Sequence, residues 1–245
     1  MIIIKSNEYM NTIDSILKRI KETQKSNIKE ASNLMAKAVK DNNMLHFFGC
    51  GHSLMLCEEV FYRAGGLACV NPIFDTALMV QHGAIKSSMV EKQEGYVKWV
   101  LDRYELKKRE VITIFSTSGR NPVPIDAALS CKEKGLKVIG VTSVEYSEKS
   151  KSRHSSGKHL CDVCDVVIDN CIGYGDALLD YGNFEAVPGS TIAGSFIINS
   201  VIADVIEKVK KSGMIPPILI SGNVDGGSEH NRNILEKYMG KVKHL

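Results

Sequence analysis

Residues 111–122 read Val-Ile-Thr-Ile-Phe-Ser-Thr-Ser-Gly-Arg-Asn-Pro, and this stretch decides the fold. Its first five residues form a continuous apolar and β-branched run, which is typical of a strand buried on both faces. Three hydroxyl side chains follow, Gly119 allows the chain to turn, and Pro122 suits the first turn of a helix. The stretch therefore predicts a buried strand, a polar turn and a helix in succession.

The same alternation of strand, turn and helix recurs along the chain. Continuous apolar runs predict strands at 44–48, 67–70, 111–115, 136–141 and 163–169. Helical spacing predicts two helices within 7–40, interrupted near Ser26, and later helices from Ser53 through Ala64, from Pro122 to near Gly135, from Ser190 to about Lys211 and from near Ser228. Apolar strands that alternate with helices indicate an α/β protein, in which both faces of a parallel sheet are covered.

The composition is that of an ordinary globular protein. The chain has 245 residues, of which 44% are hydrophobic and 24% charged, and its formal net charge is +3. This small, mixed charge argues against nucleic-acid binding, and no segment approaches the roughly 18 apolar residues of a membrane span. The apolar start at residues 1–5 is too short for a signal peptide. We therefore expect a cytoplasmic protein without nucleic-acid or membrane partners.

The sequence predicts neither a cofactor nor a metal. Leu54 stands where the third glycine of a dinucleotide-binding turn would fall, and the phosphate-loop pattern ending in Gly-Lys-Ser/Thr is absent. Cys161 and Cys164 have the spacing of half a zinc site, but no second cysteine pair follows at a suitable distance. We expect these two thiols to pack at the entrance of a strand.

Ligands of an open parallel sheet bind beyond the carboxyl ends of its strands, so the turns after the strands hold the candidate binding residues. The candidates after the first, third and fourth strands are Gly51, His52, Ser53, Ser116, Thr117, Ser118, Arg120, Asn121, Thr142 and Ser143.

The turn after the third strand carries the strongest signal. A helix cap needs one Ser or Thr, whereas Ser116, Thr117 and Ser118 place three hydroxyls in a row. We expect these hydroxyls and the free N–H groups at the start of the next helix to converge on a small anion such as phosphate. Simple helix capping is the alternative interpretation.

These turns together resemble the SIS (sugar isomerase) domain. The resemblance rests on the Gly-x-Gly-x-Ser turn at 49–53, on Phe-Ser-Thr-Ser-Gly-Arg-Asn at 115–121 and on Val-Thr-Ser at 141–143, and it covers about residues 30–210. The family includes phosphosugar isomerases, the isomerase half of glucosamine-6-phosphate synthase, N-acetylmuramic acid 6-phosphate etherase and regulators that sense sugar phosphates. The complete chain looks like a group of bacterial single-domain SIS proteins.

The resemblance implies a three-layer, flavodoxin-like α/β sandwich with a five-stranded parallel sheet. It further implies a sugar-phosphate ligand and a homodimer whose sites lie near the subunit interface. We expect one SIS domain over 1–245, with N-terminal helices at 1–42, an α/β core at 43–212 and a C-terminal helix and tail at 213–245.

The resemblance also suggests catalytic residues. In the isomerases a Glu on the helix after the first strand is the base, but this chain has Arg63 at the usual position, so Glu59 is the preferred candidate and Glu58 the second. The alternative for Glu59 is an ion pair with Arg63 at i,i+4 spacing. His230 matches the C-terminal His that opens the sugar ring in several members, and an inert surface His is the alternative.

Three functions fit this pattern. The first is an aldose–ketose isomerase that abstracts a proton next to the sugar carbonyl, and the second is a lyase or etherase that begins with the same proton abstraction. The third is a sensor that binds a phosphosugar without converting it. The segment 75–108 predicts helical pieces that form a lid or an interface, and the polar loop at 150–158 is a candidate for closing over the ligand.

Overall fold

A computed structural model describes residues 4–245. The first three residues of the apolar start at 1–5 therefore lie outside the described residues. A parallel sheet with the strand order β2-β1-β3-β4-β5 forms its centre, as the sequence predicts. The strands are β1 (Leu45–Gly49), β2 (Val70–Pro72), β3 (Val111–Phe115), β4 (Lys137–Thr142) and β5 (Val166–Asp169).

Helices cover both faces of this sheet. They are α1 (Lys5–Thr23), α2 (Lys25–Lys40), α3 (Met55–Val60), α4 (Ala84–Val90), α5 (Tyr96–Leu101), α6 (Pro122–Glu133), α7 (Val144–Lys149), α8 (Leu160–Val163), α9 (Ser190–Lys211) and α10 (Gly227–Leu235). The two N-terminal helices precede β1, as expected, although they part at Gln24 rather than near Ser26. No helix of the described residues combines the length and apolar character that a membrane crossing requires.

Neighbouring residues of each strand point to opposite faces of the sheet and thereby build two separate cores. Phe47 packs with α2 and α9 on one face, where its ring stacks on Phe115 at a centroid distance of 6.2 Å. Phe48 packs with α5 and α6 on the other face. The protein is therefore a three-layer α/β sandwich.

The strand register aligns the turns that follow β1 and β3. Gly49 and Phe115, the last residues of these strands, are partners in the ladder. The turns that begin at Cys50 and Ser116 consequently leave the sheet side by side. Ligands of open parallel sheets bind at this edge, because the strands present their carboxyl ends there together.

The structure corrects several predicted boundaries. The second strand begins at Val70 and not at Leu67, because Leu67 instead forms an antiparallel bridge with Ile218. The helix after β1 ends at Val60 rather than at Ala64, where Phe61 turns to an extended conformation. The predicted strand over 163–169 is shorter at its start, because 160–163 is helical.

A two-stranded antiparallel hairpin, β6 (Ala177–Asp180) and β7 (Glu185–Pro188), lies outside the main sheet. The sequence did not predict these strands, because the segment is dominated by glycine and polar residues. The hairpin rests on α1, where the Tyr9 hydroxyl donates a hydrogen bond of 3.0 Å to the carbonyl of Pro188. It leads directly into α9.

Candidate functional site

A cleft of about 320 Å³ opens at the carboxyl edge of the sheet, between the turns that follow β1 and β3. We call it the serine cleft. Seven of the predicted binding residues line it together: Gly51, His52, Ser53, Ser116, Thr117, Ser118 and Asn121. The segment with α4 forms the opposite wall. The size is that of a small-molecule site.

Internal hydrogen bonds fix the Ser-Thr-Ser turn. The Ser116 hydroxyl accepts a 3.3 Å hydrogen bond from the amide of Gly119, and the Thr117 hydroxyl accepts one of 3.2 Å from the Asn170 side chain. The Ser118 and Ser53 hydroxyls line the cleft and have no hydrogen-bond partner within residues 4–245. These two groups are therefore available to a ligand.

Gly119 makes the turn possible. Its φ of +59° lies in the left-handed region that glycine adopts without strain. A Cβ atom at this position would lie 2.7 Å from the Thr142 hydroxyl oxygen, which is closer than van der Waals contact allows. Any larger residue would thus push the turn away from β4.

The start of α6 differs from the prediction that free helix N–H groups bind an anion. Pro122 and Pro124 have no N–H, and the amide of Val123 donates a 3.2 Å hydrogen bond to the carbonyl of Glu91. The first turn of α6 accordingly has no free amide to offer. Donors for an anion must come from the hydroxyls and the backbone of the turn itself.

Three predicted binding residues lie behind the turn and do not line the cleft. Thr142 is buried and its hydroxyl donates a 3.4 Å hydrogen bond to the carbonyl of Thr117. The Ser143 hydroxyl accepts a hydrogen bond from the amide of Tyr146 and thereby caps α7. The Arg120 Nε is buried without a partner in the described part of the chain. The first two residues support the turn from β4.

The catalytic residues suggested by the resemblance lie outside the cleft of this chain. Glu59 forms an ion pair with Arg63 and accepts a 2.9 Å hydrogen bond from the Asn199 side chain on α9. Glu58 is exposed on the same helix. His230 on α10 is also exposed, and its Nε2 lies 3.0 Å from the carbonyl oxygen of Ile218.

Two carboxylates that are not among the predicted site residues, Glu91 and Asp176, line the cleft instead. Glu91 Oε1 accepts a 3.0 Å hydrogen bond from Asn121 Nδ2. Burial raises the pKa of Glu91, and the hydrogen bond from Asn121 opposes this rise. In the sequence, Glu91 is marked only by its place in the segment 75–108, which is predicted to form a lid or an interface.

Asp176 holds the start of α9 beside the cleft. Its Oδ1 accepts hydrogen bonds from the amides of Gly189 and Ser190, and its Oδ2 accepts one of 2.5 Å from the Ser190 hydroxyl. Asp176 itself has a φ of +59°, a conformation that Asp tolerates better than most residues. All its contacts are those of a helix cap.

The polar loop at 150–158 packs beside the cleft without entering it. Arg153 Nη1 donates a 2.9 Å hydrogen bond to the Asn121 side-chain oxygen. His154 Nε2 lies 3.0 Å from Asp126 Oδ1 on α6, and Ser155 hydrogen-bonds Glu94 after α4. The loop thereby ties the α4 segment to α6.

All seven cysteines are free thiols. Burial raises the pKa of Cys164 to about 12, which keeps this thiol protonated. Within residues 4–245, no three His, Cys, Asp or Glu side chains are grouped so that they would hold a metal ion.

Solved structures share the fold. Phosphoheptose isomerases of Neisseria gonorrhoeae and Francisella tularensis superpose with TM-scores of 0.55 and 0.54 at 12% identity, over 84% and 83% of this chain and 97% of each of theirs. The sugar isomerase domain of an RpiR transcription factor from Sphaerobacter thermophilus has a TM-score of 0.50 at 11% identity, over 97% of this chain and 98% of that domain. Such identities establish the fold alone.

Sequence relatives match the chain over its whole length. A UPF0309 protein of Thermoanaerobacter pseudethanolicus is 47% identical over 244 residues, which cover 97% of this chain and 99% of that protein. A UPF0309 protein of Listeria innocua is 43% identical over 241 residues, which cover 98% of each. The SIS domain model matches residues 8–143, more than half of the chain. The chain therefore belongs to the SIS domain family, as a member of its UPF0309 group.

Proposed function

We propose that this chain binds a phosphorylated sugar in the serine cleft and interconverts its aldose and ketose forms. The observation that carries the proposal is the pair of unpartnered hydroxyls, Ser53 and Ser118, on two adjacent turns of one cleft. Two such donors beside the free amides of a tight turn suit the oxygens of a phosphate group. The similarity to phosphoheptose isomerases supports the choice of an isomerase.

The proposed phosphate site is built on rigid elements. The Ser116 and Thr117 hydroxyls are engaged with Gly119 and Asn170, so the turn keeps its shape without a ligand. A preformed site loses little conformational entropy on binding. We therefore assign the phosphate to Ser118, Ser53 and the amides of this turn.

A homodimer is part of the proposal. A groove of about 510 Å³ runs between the end of α3 and α10, lined by Tyr62, Leu235 and Met239. Tyr62 and Met239 are 60% and 62% exposed, which is unusual for large apolar side chains that line the same groove. A second copy that covers this groove would bring Glu59 and His230 close to an interface. Light scattering of the wild-type chain and of the Tyr62→Asp variant tests this assembly.

A thermal-shift screen tests the binding function. Hexose, pentose and amino-sugar phosphates are added one at a time, because a ligand that binds only the native state raises its melting temperature. We expect at least one phosphosugar to stabilise the wild-type chain and the double variant Ser53→Ala, Ser118→Ala to lose this shift. Ser130→Ala on α6, outside the cleft, is the matched control. An unchanged shift in the double variant would contradict the assigned phosphate site.

Proton exchange separates the isomerase from the other two functions. A sugar phosphate that is isomerised in heavy water acquires deuterium at the carbon next to its carbonyl group. A lyase would release a substituent from that sugar, and a sensor would bind it without any exchange. Binding without exchange or product would therefore replace the isomerase by a sensor.

A further inference from the structure

Of the carboxylates in the serine cleft, Glu91 is the one whose oxygens are not fully engaged. Both Asp176 oxygens hold the start of α9. Glu91 Oε1 accepts from Asn121, whereas Glu91 Oε2 has no hydrogen-bond partner among residues 4–245. Glu91 thus presents one free carboxylate oxygen to the cleft.

The position of this carboxyl group is fixed relative to the Ser-Thr-Ser turn. The Glu91 carbonyl accepts a hydrogen bond from the amide of Val123, and the Glu91 side chain accepts one from Asn121. Both donors belong to the start of α6, which directly follows residues 116–119 of the turn. A ligand whose phosphate binds to the turn therefore meets Glu91 at a set distance.

We propose that Glu91 is the acid–base residue of the cleft and moves a proton between adjacent carbons of the bound phosphosugar. This inference rests on the proposed function and adds the group that performs its chemistry. A partly buried carboxyl group suits the task, because burial raises its pKa and so makes the carboxylate a better proton acceptor that can also return the proton.

The step balances without a co-reactant. Glu91 Oε2 takes the proton from C2 of the open-chain aldose, the C–H electron pair forms the C1–C2 double bond, and the carbonyl oxygen on C1 takes up a proton. The resulting enediol then loses the proton of its C2 hydroxyl, and C1 regains a proton from the Glu91 carboxyl group. Water in the cleft supplies the proton that O1 takes up and receives the proton that O2 releases. The number of protons is therefore unchanged when the ketose forms.

The other candidate groups are less suited in this chain. Glu59 is held by Arg63 and Asn199 outside the cleft. His52 lines the cleft, but its side chain is exposed to solvent and no hydrogen bond from residues 4–245 fixes its position. The free oxygen and the fixed backbone distinguish Glu91 from both.

The test compares Glu91→Gln with Glu59→Gln and with Glu94→Gln, which changes an exposed neighbouring carboxylate. Fructose 6-phosphate, ribose 5-phosphate and glucosamine 6-phosphate serve as probes for thermal shift and for deuterium uptake in heavy water. We expect Glu91→Gln to keep the thermal shift and to lose exchange by about 10²–10⁴-fold, the usual contribution of general acid–base catalysis. The other two variants should exchange like the wild type.

Each outcome separates this inference from the proposed function. Wild-type exchange that survives in Glu91→Gln overturns the role of Glu91 while the isomerase stands. Binding without exchange in the wild type overturns both the isomerase and this role, and binding of none of the sugars overturns the binding proposal. The titration of Glu91 can also be followed without turnover, by NMR of protein labelled with ¹³C-glutamate. The Glu91 signal is identified as the one that is absent in Glu91→Gln. A titration midpoint at or below the ordinary 4.5 would also overturn the inference.

Discussion

His46 Nε2 lies 2.9 Å from Glu110 Oε2, and both side chains are buried at the amino ends of β1 and β3. The carboxylate also accepts hydrogen bonds from the amides of Met44 and Lys107. The Asn71 side chain completes the group on the other side of the imidazole. This cluster closes the edge of the sheet that lies opposite the serine cleft.

Glu110→Ala should destabilise the protein by about 1–3 kcal/mol at pH 7, because it leaves the buried His46 and two backbone amides without their acceptor. Burial raises the pKa of Glu110, but the hydrogen bonds from His46 and from the Lys107 amide lower it by more than burial raises it. The net shift is therefore downward. A lowered pKa stabilises the fold above the ordinary value of 4.5, and this contribution disappears as pH falls through the folded-state pKa. Urea unfolding at several pH values measures it. Glu105→Ala, at an exposed site, is the control, and an equal loss at both sites would contradict the prediction.

Gly119→Ala should destabilise the protein and abolish phosphosugar binding. Left-handed backbone costs a residue other than glycine about 1–3 kcal/mol, and the added methyl group would meet the Thr142 hydroxyl at 2.7 Å. Gly157→Ala is a matched control, because Gly157 has a φ of +72° but open space around its Cβ position. Thermal unfolding with and without ligand compares the two. If the ligand still raised the melting temperature of Gly119→Ala, the turn would tolerate displacement and the prediction would be wrong.

Asn121→Ala should raise the pKa of Glu91 further. The Asn121 side chain donates to the carboxylate and lowers its pKa, so removal of this donor leaves the effect of burial unopposed. Lys92 and Arg153 contribute the remaining, weaker lowering. The acid limb of the exchange rate should move to higher pH, as measured by deuterium uptake across a pH series. Asn183→Ala at the hairpin tip is the control, and an unmoved limb in Asn121→Ala would contradict the role of this contact.

Glu91→Gln should stabilise the ligand-free protein at pH values at which the wild-type carboxyl group is ionised. A carboxyl group whose pKa is raised by folding favours the native state when protonated and opposes it when ionised. The variant should therefore gain stability over the wild type as pH rises above 4.5 and through the raised pKa, and the two should converge at lower pH. Melting temperatures from pH 4 to pH 8 test this. A variant less stable than the wild type at pH 8 would show that the carboxylate contributes to the fold.

Asp176→Ala should destabilise the protein by about 0.5–2 kcal/mol, the usual effect of losing a helix cap. The amides of Gly189 and Ser190 would lose their acceptor at the start of α9. Urea unfolding measures the loss, and Asp204→Ala at an exposed position within α9 is the control. A loss no larger than that of the control would mean that water replaces the carboxylate.

The sequence predicted the sheet well, because its strands are buried on both faces and appear as continuous apolar runs. The third strand falls on 111–115 as predicted. The second strand was misplaced because Leu67 is equally apolar, yet it pairs with Ile218, more than a hundred residues away. Local patterns carry no information about such a partner.

The cleft was predicted only where a local motif marks it. The turns at 51–53 and 116–118 were found because ligands bind where parallel strands end. Glu91 and Asp176 reach the cleft from segments whose path is set by tertiary packing, and neither belongs to a recognisable motif. The family resemblance pointed to Glu59 and His230, which this chain places outside its own cleft.

The lining of the serine cleft, as far as residues 4–245 form it, includes neither lysine nor arginine. Recognition of a dianion there would depend on oriented neutral dipoles, whose field falls off steeply with distance. Such a site selects by shape and hydrogen-bond direction and attracts few ions from afar, so ligand affinity should change little between dilute and concentrated salt.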